Sequence, residues 1–191
     1  MICIEDYILR PIKLNKKKKL DWFSLWIEKS DYIVEYYEKI NGKYRIIDES
    51  IDYYVAMLEM AIYFLKDYSN YYDFAYIQHG LIIDNYMYIK EDIRERDFSE
   101  YLKYLFYKKC SIEYVYDLLE KNKNKYNYYL VGVRLIFPSY YFFYLERVIL
   151  DNEDYNVLVE IINSSYKYEE YLKKVIEKIN TYLIKKIVLP F

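Results

Sequence analysis

Along most of this chain, apolar side chains recur every third or fourth residue, the spacing that gathers them on one side of a helix. Phe23, Trp26, Ile27, Ile33, Val34 and Tyr37 follow it. Asp21 stands before them as an N-cap, so a helix is expected from there to about Ile40. Asn41-Gly42-Lys43 ends it, because asparagine and glycine tolerate left-handed dihedrals. A second helix is expected from about Asp48, with Ile51, Val55, Leu58, Ile62 and Leu65 on its buried side. The stretch up to about Leu20 reads as extended around Arg10-Pro11, since a residue before proline avoids helical dihedrals.

The period then changes. Phe74–Gln78 and Leu81–Ile89 are rich in β-branched and aromatic residues and suit a small β element around His79 and Gly80. From Asp97 the helical period returns. Asp97 with Glu100 three residues later has the form of a capping box, and Phe98, Tyr101, Leu102, Leu105 and Phe106 make its buried stripe. Ser111 reads as the cap of the next helix. Further helices are expected over Tyr126–Phe137, Pro138–Leu150 and Asp154–Asn163, with proline at a first-turn position. Tyr168, Tyr171, Leu172, Val175, Ile179 and Leu183 line a last one. The expected fold is mainly α: a single helical domain over residues 1–191, extended over 1–20, with one small β element near residues 76–92.

Composition supports helices over hairpins. Three glycines and three prolines leave little punctuation for tight turns. Hydrophobic residues make up 54%, but thirty tyrosines inflate the figure, and their hydroxyls need partners or water. The surplus of tyrosine, lysine, asparagine and isoleucine is also what an AT-rich genome would encode. Net charge is −2, from twenty-eight basic and thirty acidic residues that are interspersed, so no nucleic-acid partner is expected. The one charge run, Lys16 to Lys19, reads as a solvated loop before the first helix. Cys3 and Cys110 lack metal-ligand spacing and do not form a disulfide framework, which makes a reducing cytosol the expected location. The N-terminus, "MICIEDYILRP", is acidic and has no continuous apolar run, so no secretory signal is read there. The longest apolar stretch, "YYLVGVRLIFPSYYFFYLERVIL", is broken by Arg134 and Pro138; two buried helices meeting at the proline explain it better than a membrane span.

Hydrolytic and metal chemistry find little support in the residues. His79 is the only histidine, which excludes a two-histidine zinc site, and nothing brings a cysteine to it. The three glycines are isolated, so no glycine-rich phosphate loop is present. The exception is the stretch "HGLIIDN" followed by "YIKEDIRERDFSEYLK". It resembles the catalytic half of kinases related to aminoglycoside phosphotransferases and choline kinases, whose loop reads His-Gly-Asp, a few residues, then Asn. In that family a strand then delivers a metal-binding Asp, and a later Asp opens a helix. His79-Gly80 matches the loop's start, Asn85 its asparagine, Asp92 the metal-binding aspartate and Asp97 the helix-opening one. "RLIFPSYYF", with Arg134 and Pro138, and the pattern of the first helix are similar to the spore-coat branch of these proteins in low-GC Gram-positive bacteria. The likeness would run from Trp22 onward and implies the helical C-terminal lobe of that fold.

The departures govern what the resemblance implies. Leu81 stands where the family places its catalytic aspartate, and leucine accepts no proton. Asp84 is close in sequence, but a strand would need a bulge to bring it in. Asn85 lies one residue nearer the histidine than the family pattern has it. No glycine-rich strand pair or clamping lysine precedes Trp22, so phosphates lack a cradle. The expectation is therefore a non-catalytic, kinase-derived module without a cofactor, acting by binding a protein partner, with His79, Asp84, Asn85 and Asp92 as vestiges. Association with a spore coat or cell envelope follows from the resemblance. The alternative is a small-molecule phosphotransferase using Mg-ATP, with Asn85 and Asp92 holding magnesium and Asp84 as base. Plainer roles stand beside these: His79 as a core histidine on a backbone carbonyl, Asn85 as a strand end, Asp92 as a turn or cap residue, Asp97 as a helix cap. Arg94 and Arg96 would pair with Glu95 and Asp97.

Overall fold

The computed structural model describes residues 11–40, 42–68, 70–78, 90–151 and 154–191. Among them the chain is mainly helical with one small sheet. Strand β1 (Lys13–Lys19) leads into α1 (Trp22–Ile40) and α2 (Arg45–Leu65), which ends in a short 3-10 turn, Lys66–Tyr68. Strands β2 (Tyr72–Gln78) and β3 (Lys90–Asp92) follow. The rest is helical: α3 (Glu95–Tyr107), α4 (Ile112–Lys121), α5 (Tyr128–Ile136), α6 (Ser139–Asp151), α7 (Tyr155–Asn163) and α8 (Ser165–Asn180).

Helix α5 is the centre of the packing. All nine of its residues are buried, and α2, α3 and α8 pack around it. Apart from Arg134, the helix carries apolar and aromatic side chains on every side, so it has no face to offer water and must be enclosed. Gly132 lets the C-terminal segment close over it. A Cβ there would lie 2.5 Å from the Ile187 Cδ1 atom and 3.1 Å from Ile176 Cδ1. Asn127 caps this helix, accepting from the N–H groups of Tyr129 and Leu130. Pro138 separates α5 from α6, and the proline carbonyl accepts the first bond of α6 from Phe142. No helix among the described residues is long and apolar enough to cross a membrane.

The tyrosines are largely core residues. Tyr141 is 1% exposed and stacks on Tyr54 at 3.7 Å between ring centroids. Tyr168 and Tyr171 on α8 donate to the Leu135 and Leu102 carbonyls at 2.8 and 2.7 Å, so their hydroxyls are satisfied inside the protein.

Several sequence expectations need correction. The lysine run is not a loop but the edge strand β1, paired antiparallel to β2 in a sheet of order β1-β2-β3. Five lysines on this edge strand repel a second copy of the same edge, since like charges would then stand opposite each other. Helix α2 begins at Arg45, three residues before Asp48, and its N-cap Tyr44 makes no side-chain cap. Ile27 and Val34 are 38% and 50% exposed; the buried side of α1 runs through Trp22, Trp26 and Ile33, about 100° round the helix from them. Helix α3 starts at Glu95, so Asp97 is its third residue and not its cap. The Asp97 N–H is instead satisfied by the Gln78 side chain on β2, at 2.8 Å. Ser111 does cap α4, accepting from the Tyr114 N–H.

Candidate functional site: a buried ionic core

Asp92, the last residue of β3, is 2% exposed. Both carboxylate oxygens are engaged. The Trp22 indole Nε1 donates to Oδ1 and Oδ2 at 3.1 and 3.0 Å, the Ile93 N–H to Oδ1 at 2.8 Å, and Arg96 to Oδ2 at 3.1 Å. The aspartate thus ties the first turn of α1 to the sheet and to α3. Burial pushes its carboxyl up to about 6, against the lowering pull of the Trp22 bond and the Arg134 charge.

One turn further along α3 a second cluster forms. Glu100, fully buried, accepts from Arg134 Nε at 2.8 Å, from the Ser139 hydroxyl at 2.8 Å and from Lys103 Nζ at 3.2 Å. The Lys103 ammonium also donates to the Phe137 carbonyl at 2.8 Å and to Ser139 Oγ at 2.7 Å. Its three protons therefore have three acceptors, one of them a carbonyl at the C-terminal end of α5, which a cation suits. Arg134 lies against three rings: Phe137 at 4.8 Å, Trp22 at 5.1 Å and Trp26 at 5.5 Å from the ring centroids. This arginine is the bridge between the two clusters.

The charges shape one another. Burial lowers Lys103 to about 7; Glu100 pulls it back up and Arg134 pushes it further down. Burial alone would raise Glu100, but Lys103 and Arg134, with the Ser139 bond, hold it below its ordinary value. Glu95, at the start of α3, is pushed by burial up to about 7. One of its oxygens accepts from the Asn127 N–H at 2.9 Å, while Oε2 finds no partner among the described residues. Beside Lys103 lies a cavity of about 20 Å³, walled by Tyr54, Met57, Tyr107, Tyr140 and Tyr168. That is room for about one water, against the several hundred Å³ typical of a small-molecule site.

Of the residues singled out from sequence, Asp92 and Asp97 enter this core, both almost wholly buried. His79, Leu81, Asp84 and Asn85, like Cys3, lie outside the described residues. Arg94 is half-buried, 3.5 Å from Glu95 and 4.0 Å from Asp73, and Arg96 pairs with Asp92. The roles of Glu100, Lys103 and Ser139 were missed by sequence reasoning. Arg134 was the available signal: an arginine inside an apolar run must find a buried counter-charge, and Glu100 is that charge. Among the described residues, no three metal-ligating side chains come together. Asp92 is also a poor fit to magnesium, since its oxygens are occupied by indole, guanidinium and backbone donors. No family model, curated protein or solved structure matches the chain. Fold and site define a mainly helical protein with one small sheet and a buried ionic core.

Proposed function

We propose that this chain is a non-catalytic helical module, derived from a kinase-like ancestor, that acts by binding a protein partner. The observation that supports it is the state of Asp92. The residue that would hold magnesium in an active relative is used here as a structural tie, saturated by Trp22, Arg96 and its own neighbour's N–H. Recruiting it for a metal would break four contacts in a region nearly closed to solvent. Leu81 in the base's position points the same way. Association with a spore coat or envelope rests on the likeness of "RLIFPSYYF" and of the pattern of the first helix.

Isothermal titration of the full chain with Mg-ATP is the test. The module reading expects no heat of binding up to millimolar nucleotide. Micromolar binding, together with ATP turnover that disappears in Asp92→Asn, would replace it with the phosphotransferase reading.

A further inference from the structure

Strand β1 is bonded to β2 alone, so its other edge is open among the described residues. The Leu20 N–H points across the pair to the Tyr71 carbonyl. Main-chain direction alternates along an antiparallel strand, so Lys18 shares the inward direction of Leu20. Lys17 and Lys19 then turn their N–H and C=O groups outward, away from β2. Five of the seven residues on this strand are lysine. Lys13 sits 3.3 Å from the Phe74 ring centroid, Lys16 pairs with Glu91 at 2.5 Å, and Lys18 with Asp21 at 3.2 Å. Lys17 and Lys19 have no carboxylate partner among the described residues. Each stands across from an aromatic of β2: Lys17 from Phe74, Lys19 from Tyr72, which is 58% exposed.

We propose that the outer edge of β1 takes up an acidic, extended segment of a partner protein as a further strand. The proposal rests on the protein-binding reading above and names the place where it acts. The occupant follows from the charges. A second copy of β1 would set lysine against lysine and is repelled. A neutral strand would gain the main-chain bonds but leave the ammonium groups unanswered. An acidic strand satisfies both the outward main-chain groups and the two unpaired lysines, the combination of edge pairing and side-chain selection by which strand addition discriminates.

The test separates strand addition from simple charge attraction. A fluorescent heptapeptide alternating glutamate with valine or threonine is titrated against the full chain and followed by anisotropy. Comparison probes are the same peptide N-methylated on alternate amides, its lysine counterpart, oligothymidylate, and phosphatidylserine vesicles. Two variants decide the mechanism. Lys17→Gln removes a charge and keeps the outward N–H, whereas Lys17→Pro also removes that N–H without breaking a bond to β2. The expected result is binding of the acidic peptide alone, weakened roughly tenfold more by Lys17→Pro than by Lys17→Gln. Equal effects of the two variants, undiminished binding of the N-methylated peptide, or tighter binding of oligothymidylate or vesicles would overturn it. Absence of peptide binding would also overturn it, while the Mg-ATP titration continues to judge the module reading independently.

Discussion

Replacing Glu100 with leucine tests the ionic core at its most connected point. The variant removes the acceptor of three hydrogen bonds, from Arg134, Lys103 and Ser139, and leaves two cations facing each other with almost no access to water. Breaking a buried pair by deleting one partner costs about 3–5 kcal/mol. For a chain of this size that corresponds to a fall in Tm of roughly 6–20 °C. Urea unfolding followed by tryptophan fluorescence measures it directly, because both tryptophans, Trp22 and Trp26, flank Arg134. The deficit has a pH signature. Lys103 titrates near 7 in the folded protein, below its ordinary value of 10.5, so its burial penalty is fully present below 7 and is relieved as pH rises above it. Without Glu100 the folded pKa drops further, and relief starts at lower pH. The gap between variant and wild type is therefore largest at acid pH, below the variant's lowered Lys103 pKa, and narrows as pH rises toward 7. Exchanging all three charges together, as Glu100→Leu with Lys103→Met and Arg134→Met, should restore most of the loss, since an apolar core of similar volume needs no counter-charges. A Glu100→Leu deficit below about 1 kcal/mol, or one independent of pH, would refute this account of the core.

Glu95 gives a pH dependence of the opposite sign. Its folded pKa, about 7, lies above the ordinary 4.5, so the folded state holds a proton that the unfolded state has released between those values. Its contribution is full below 4.5 and is lost as pH rises toward 7. Glu95→Gln keeps the carbonyl that accepts from Asn127 and should flatten that slope in urea midpoints collected across this range; an unchanged slope would count against a buried, protonated Glu95. Gly132→Val would push a side chain into Ile187 and Ile176, an overpacking cost of about 1–3 kcal/mol. The expected readout is a lowered Tm with faster proteolysis in the segment after Asn180, and an unaltered Tm would show that the contact gives way without cost.

The helices were legible in the order of residues, because helical periodicity is local. Of the stripe expected on α2, Ile51, Leu58 and Leu65 are buried and Val55 and Ile62 half-buried, and Ser111 caps α4 through a hydroxyl only three residues from its donor. Pro138 breaks the long apolar stretch for equally local reasons. The rest came from contacts between segments far apart in the chain. A strand reading KLNKKKK has no apolar alternation, and it becomes a strand only because Tyr72–Gln78, more than fifty residues later, supplies the ladder. Asp97 and Glu100 have the local form of a capping box, yet the true donors and acceptors are Gln78, Arg134 and Ser139, brought in from other elements. Asp92 was recognisable as a carboxylate of consequence, but its role belongs to Trp22, seventy residues away. A charge inside a protein has no meaning until its partner is placed beside it, and only the fold places partners that far apart in the chain.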